Sequence, residues 1–313
     1  MRARHWIWIL VGAAGTVMLL ALCTVWAASA LFGADVLVRR PAVAIVRVEG
    51  QIMPGDAPDG FFGGGGAYAE RVTRQLRAIQ RNPAVKAVVL RVESPGGEVV
   101  AADEIAQEIK RTREAGKKVV VSMGSLAASG GYYISAGANR ILANPATTTG
   151  SIGVIGVIPH AQELLSTLGI QVQVIKSGPF KDEGSPFRPL TDEERAIFQR
   201  MIDEAYEQFV QVIAEGRKLD PAQVREIGDG RVYTGLQARQ LGLVDEFGDL
   251  RRAIQVAADL ASIKGEPRVI DTRPVSPLAA LFGALLRPAP RPTFAELLGL
   301  QQRFTMYYLY LNL

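Results

Sequence analysis

Beyond residue 40 the chain alternates short apolar runs with amphipathic stretches. Residues 41–49 and Val85 to Val92 are near-continuous apolar runs rich in β-branched side chains, the pattern of strands covered on both faces. Tyr68 to Gln80 brings Val72, Leu76 and Ile79 onto one helical face, and Ala101 to Glu114 reads as a charged amphipathic helix. Lys118 to Met123 is a third β-branched run, bounded by Gly124. This rhythm predicts a parallel α/β layer, in which ligands gather beyond the carboxyl ends of the strands. Two small-residue turns fall at those ends, Glu93-Ser-Pro-Gly-Gly97 and Gly124-Ser-Leu-Ala-Ala-Ser129-Gly-Gly131.

The pattern continues with a short strand at Arg140 to Ala143 and a polar turn from Thr147 that feeds a strand ending at Val157. Ala161 to Leu168 suits a short helix, and the alternation of Gln171 to Lys176 suits a strand. A Gly/Pro loop follows from Ser177 to Pro186. Thr191-Asp-Glu-Glu194 is a capping-box pattern opening a long helix to about Lys218. Helices are expected at Pro221 to Ile227, Leu236 to Leu241 and Leu250 to Ala261, with a strand end at Val232. Gly50 to Gly66 is a loop carrying four consecutive glycines. From Pro267 onward prolines recur around the short apolar patch Leu278 to Leu286. That region is either a tail packed on the domain or loosely ordered, or a segment that meets a membrane or a neighbouring subunit.

No residue from Trp6 to Ala34 is charged, and as a helix this run exceeds the roughly 30 Å hydrocarbon core of a bilayer. Arg2 and Arg4 before it predict a cytoplasmic N-terminus, with everything after about residue 35 on the far side. Ala28-Ser29-Ala30 offers the alternative of a cleaved signal peptide; the length of the run favours an uncleaved anchor. The expected organisation is an anchor at 1–40, a catalytic domain at 41–265 and a Pro-rich apolar tail at 266–313.

Composition narrows the chemistry. The net charge of +4 is scattered, which argues against a nucleic-acid partner. The single cysteine, Cys23, lies in the apolar run, so intrachain disulfides and thiolate zinc sites are excluded. The two histidines, His5 and His160, leave only His160 for a Ser-His pair and make a histidine metal site implausible.

Ser129 stands at a strand-to-helix turn with Gly130 and Gly131 behind it, where backbone N–H groups favour developing negative charge. A serine hydroxyl needs a base. His160 has no aspartate near it in sequence; Lys181 lies beyond a strand end in the Gly/Pro loop, beside Phe180, and a buried lysine can serve as base. By local sequence alone Lys181 is an ordinary loop lysine. Ser94, Ser125, Ser135 and Ser151 are rival serines, with Ser151 in a second polar turn where it could orient a base.

Four motifs in order, Ser94-Pro-Gly-Gly97, Met123-Gly-Ser-Leu-Ala-Ala-Ser-Gly-Gly-Tyr-Tyr133, Thr149-Gly-Ser-Ile-Gly-Val154 and Ser177-Gly-Pro-Phe-Lys181-Asp182, resemble signal peptide peptidase A in its short single-domain bacterial form. The resemblance covers about residues 42 to 260. It implies a ClpP/crotonase-like α/β fold of layered parallel sheets and helices behind one transmembrane helix, in the bacterial inner membrane. It implies a serine endopeptidase with Ser129 as nucleophile, Lys181 as general base, Ser151 orienting the lysine and Gly97 and Gly130 as oxyanion-hole donors. It also implies a homo-oligomer acting on signal peptides and other apolar peptides, with no metal or cofactor. Lys181-Asp-Glu-Gly-Ser-Pro departs from the pattern near Glu183, where a more apolar residue is expected. The alternatives are a related membrane peptidase with a regulatory protein substrate, a crotonase-fold acyl-CoA enzyme and a non-enzymatic scaffold.

Overall fold

A computed structural model describes residues 40–56 and 66–272, the backbone of a strand at 306–309, and helical positions 16 and 18–20. Most of the expected anchor, the remainder of the glycine-rich loop and most of the expected tail lie outside the described residues. No helix among the described residues is long and apolar enough to cross a membrane.

The main sheet has eight strands. Its centre is parallel: β1 (Ala42–Glu49) pairs with β4 (Val85–Ser94), and β4 with β6 (Lys118–Ala128). The first half of β6 then pairs with β7 (Arg140–Ala143) and the second half with β8 (Thr148–Gly150), so β6 forks between two neighbours. Beyond the fork, β10 (Val232–Thr234) runs antiparallel to β8, and β11 (Glu246–Phe247) parallel to β7. At the other edge, β12 (Arg268–Asp271) pairs in parallel with β1, so the sheet continues past residue 265.

The unbroken apolar character of β1, β4 and β6 follows from cover on both faces. Helices α1 (Ala69–Arg81), α2 (Val99–Glu114) and α3 (Gly130–Ala136) pack on the face formed by Ala44, Val46, Val88, Leu90, Val119 and Val121. On the other face α8 (Leu250–Leu260) sets Ala253, Val256 and Ala257 against Val43, Ile45, Val89 and Val120. The expected stripe Val72, Leu76 and Ile79 of α1 is buried.

A second, five-stranded sheet has the order β3–β2–β5–β13–β9. It comprises β2 (Gln51–Met53), β3 (Gly66–Tyr68), β5 (Gly96–Glu98), β9 (Ile155–Gly156) and β13 (Met306–Leu309). A sequence-distant segment of the tail therefore sits between two elements of the expected active-site region.

The long helix α5 (Asp192–Arg217) follows the short helix α4 (Gln162–Thr167). It opens with the expected capping box, in which the Thr191 hydroxyl accepts from the Glu194 N–H and the Glu194 carboxylate from the Thr191 N–H. Helices α6 (Pro221–Ile227) and α7 (Gly235–Gln240) follow it. One expectation is corrected: Gln171 to Lys176 alternates as a strand does but forms none, and all six residues are exposed. No neighbouring strand takes their N–H and C=O groups, and without a partner alternation does not make a strand.

Candidate functional site

Strand β6 does not stop at Gly124. It kinks there, continues to Ala128 and delivers Ser129 as the N-cap of α3 with φ 53° and ψ −118°. A non-glycine residue held there stores about 1–3 kcal/mol of strain, which persists only because its surroundings fix it. The surroundings are explicit. The Ser129 N–H donates to the Gly150 carbonyl at 2.8 Å, and its carbonyl accepts from the N–H groups of Tyr132 and Tyr133. Helix α3 is wholly buried; the Tyr132 hydroxyl donates to the Leu243 carbonyl and that of Tyr133 to Asp103. The Tyr133 ring meets Phe209 of α5 edge-on at 5.0 Å. Burial pushes the Tyr132 phenol far above its ordinary range, so it serves as a fixed donor.

Ser129 is 1% exposed, and its Oγ has no hydrogen-bond partner among the described residues. A buried hydroxyl left unpaired costs about 1–3 kcal/mol. It is the buried side-chain polar atom among the described residues that the fold leaves unsatisfied, a state expected of a group waiting for a reaction partner.

Two other motifs converge on it. Ala128 pairs with Gly150, which sets Ser129 and Ser151 at neighbouring strand ends. Ser151 is also strained, at φ 49°, and donates its N–H to the Arg231 carbonyl. It borders an open cavity of about 620 Å³ that is also lined by Ile155, Tyr206 and Gly228. The Ser94 turn closes the other side: the Ser94 hydroxyl accepts from the Gly96 N–H, and a Cβ on Gly131 would lie 2.9 Å from the Ser94 carbonyl. Gly97 pairs with Ile52, and a Cβ there would lie 2.0 Å from the Ile52 carbonyl, so only glycine fits. Strand β13 runs antiparallel to both β5 and β9, with Tyr308 opposite Gly97 and Tyr307 opposite Ile155. The gap between β5 and β9 is thus a slot that holds an extended backbone from both edges.

Lys181 is not part of this cluster. It is exposed, on a turn closed by its N–H to the Gly178 carbonyl, and Ser129 Oγ makes no hydrogen bond to it. Its neighbours bind it to α5: Asp182 accepts from Arg188 and Lys176, and Arg188 also grips Glu194. Arg188 first, then Lys176, holds the Asp182 carboxyl far below the usual range. Arg188, with help from Thr191, holds that of Glu194 down at about 2 despite burial. The segment 157–190 between β9 and α5 forms an arm that carries exposed apolar side chains, among them Val157, Leu164, Leu168, Ile170 and Ile175.

His160 is exposed and does not bond the Ser129 hydroxyl. Ser125 is exposed, and the Ser135 hydroxyl already donates to the Gly131 carbonyl at 2.6 Å. A lysine that sequence reading passed over, Lys117, is buried and donates to the carbonyls of Asn82 and Val85; desolvation lowers its pKa. It stands at the opposite end of the 11-residue β6 from Ser129, on the order of 40 Å of strand away, so its role there is to cap carbonyls.

Residues 111–264 match peptidase family S49, and residues 65–149 match the Clp protease family. Protease 4 of Salmonella typhi is 41% identical over 237 residues, 73% of this chain and 37% of that one. The chain thus spans little more than a third of that relative. A Synechocystis protein is 44% identical over 201 residues, 64% of this chain and 72% of its own. The chloroplastic serine protease SPPA of Arabidopsis thaliana is 36% identical over 225 residues, 72% of this chain and 33% of that one. With the β6–α3 serine turn inside the matched segments and a relative covered over most of its length, the chain belongs to peptidase family S49.

Proposed function

We propose that this protein is a membrane-anchored serine endopeptidase that cleaves signal peptides and other apolar peptides bound in extended form. The observation that carries the reading is the buried, unpartnered Ser129 Oγ on a strained turn beside the β5–β9 slot. Ser129 is the nucleophile and Lys181, as the neutral amine, the general base. A relative from Enterococcus faecium bears a signal peptide peptidase name, which supports the substrate class.

The base comes from a second copy of the chain. Gly184, three residues after Lys181, is close to Phe198, whereas Tyr133 packs on Phe209. Phe198 and Phe209 are eleven residues apart on α5, roughly 16 Å of helix. The arm therefore projects away from its own nucleophile, with an apolar surface suited to burial against a neighbour.

The reaction is acyl transfer to water. A peptide enters the slot by strand addition, its backbone bonded to both edges. Ser129 Oγ attacks the scissile carbonyl carbon as its proton passes to the Lys181 amine. The N–H groups of Gly97 and Gly130 hold the oxyanion. The lysine ammonium, oriented by Ser151, gives the proton to the leaving amine, and water then hydrolyses the acyl-enzyme with Lys181 again as base. The strand β13 occupies the slot as a substrate would, and so competes with one.

The test is hydrolysis of a fluorogenic apolar peptide by the full chain in detergent, for wild type, S129A, K181A and H160A. Loss in the first two variants with H160A active is expected. Mixing S129A with K181A restores activity, to about a quarter of wild type for random mixing of equal parts. Full activity in K181A, or loss in H160A alone, would overturn the serine–lysine reading; no recovery on mixing would return both groups to one chain.

A further inference from the structure

We propose that Glu93 is a positioning residue for the nucleophile, holding the kink of β6 through a two-pronged carboxylate contact. This rests on the peptidase reading. Strands β4 and β6 stay in register from Ala87 opposite Lys118 to Val92 opposite Met123, and resume with Ser94 opposite Ala127. Between these pairs β4 has one residue, Glu93, and β6 has three, Gly124, Ser125 and Leu126. The fork overlaps this bulge: the last β6–β7 pair is Ser122 with Leu142 and the first β6–β8 pair is Leu126 with Thr148, so Met123, Gly124 and Ser125 lie between the two neighbours.

A bulge of three residues strips backbone groups of their strand partners, and side chains take them up here. Glu93 Oε2 accepts the Ser125 N–H at 2.8 Å and Oε1 the Leu126 N–H at 3.0 Å. The Thr147 hydroxyl donates to the Gly124 carbonyl at 2.7 Å. Arg91 donates to the Met123 carbonyl at 3.0 Å and to the Ser122 hydroxyl at 2.9 Å. Gly124 leaves room for the carboxylate, since a Cβ there would fall 1.7 Å from Glu93 Oε2.

Beyond the kink the strand is held rigidly. Ala127 is paired to Ser94 and Thr149, Ala128 to Gly150, and Ser129 N–H to the Gly150 carbonyl. A shift at Leu126 is therefore passed to Ser129 Oγ without loss. Glu93 reaches neither Ser129 nor the slot. Its neighbour Val92 belongs to the face that carries α3, so by strand alternation Glu93 points to the opposite face. It acts only through the kink. The geometry asks for a carboxylate, because two N–H groups aim at two oxygens. An amide would turn its own N–H₂ toward one of them.

The experiment compares full-chain wild type, S129A, E93Q, E93D and G124A in detergent. The readouts are kcat and KM on a fluorogenic apolar peptide, the rate and final extent of Ser129 labelling by a fluorophosphonate, and the midpoint of thermal unfolding. A misplacement of reacting groups by about 1 Å costs on the order of a hundredfold in rate. E93Q is expected to lower kcat and the labelling rate at least tenfold, with KM within about twofold and labelling still going to completion. E93D, which keeps the charge, recovers part of the loss, and G124A repeats the E93Q phenotype from the other side of the contact. If E93Q fails to fold, G124A and E93D carry the comparison. Unchanged kcat in a folded variant overturns the proposal. So does a loss explained by incomplete labelling with a normal rate per labelled site, which marks a purely structural role. If wild type is itself inert and unlabelled, the peptidase reading falls, and the positioning role with it; activity in wild type but not S129A keeps the two failures apart.

Discussion

Removing the Ser129 hydroxyl should make the protein more stable. Most buried serines lose stability on truncation because a hydrogen bond goes with the hydroxyl. At Ser129 there is no bond to lose among the described residues, only an unpaired group 1% exposed. Ser129→Ala removes that burden, an expected gain of about 1 kcal/mol, or about 2–4 °C in the unfolding midpoint of a domain this size. Ser129→Gly also releases the strain of φ 53°, about 1–3 kcal/mol, against about 0.5–1 kcal/mol for the added freedom of glycine in the unfolded chain. The expected order is wild type below S129A below S129G. Ser135→Ala, six positions along the same turn-and-helix unit, is the control: its hydroxyl donates to the Gly131 carbonyl at 2.6 Å, and its loss should cost about 1 kcal/mol. Equilibrium unfolding in denaturant, read by tyrosine fluorescence, measures all four. A less stable S129A would refute the reasoning, because it would mean the hydroxyl has a partner. S129G falling below S129A would show that the turn is not strained.

Three further outcomes are expected. Gly97→Ala forces a Cβ to 2.0 Å from the Ile52 carbonyl, so β2 and β5 must part; overpacking of this kind costs about 1–3 kcal/mol, and fluorophosphonate labelling of Ser129 should fall further than the unfolding midpoint alone explains. Ending the chain after Thr272 removes β13 from between β5 and β9, and should lower KM for an added peptide with kcat unchanged; an unchanged KM would show that the strand does not compete. The Asp182 and Glu194 carboxyls are held below their ordinary range by Arg188, so their stabilisation is full above the unfolded range near about 4. It is lost as pH falls toward about 2, the Glu194 value. Limited proteolysis by pepsin should therefore cut residues 157–190 increasingly fast as the acid window is entered, and R188Q should show that rate already at its upper end.

The parts of the fold legible in the sequence were those decided locally. The runs of β1, β4 and β6 announce burial on both faces, and Thr191 with Glu194 announces the start of α5, because composition and capping act within a few residues. The small-residue turn at Ser129 was legible for the same reason. Gly124 misled in part: a glycine after a β-branched run marks a strand end, and here it instead makes room for the Glu93 carboxylate, a residue 31 positions earlier. Gln171 to Lys176 misled fully, since strand pairing is a property of two segments and this one has no second. The pairings of β12 with β1 and of β13 with β5 join segments more than 200 residues apart, and no local pattern announces them. The relation of Lys181 to Ser129 was likewise beyond local reading, because the length and direction of α5 intervene.

That helix sets a reach. Near its C-terminus Gly216 touches the last carbonyl of α3, where a Cβ would lie 2.3 Å from the Ala136 oxygen, and at its N-terminus Glu194 is gripped by the arm's Arg188. On this helix of 26 residues, the two anchor points lie about 33 Å apart at about 1.5 Å per residue. The helix is a ruler with one end fixed on α3, the helix that Ser129 caps, and the other carrying the Lys181 loop. Inserting one residue would swing the loop by about 100° around the axis; inserting seven would restore its direction but push it out by roughly 10 Å. If two copies complete each other's site as proposed, the spacing at which they do so is written into the length of α5.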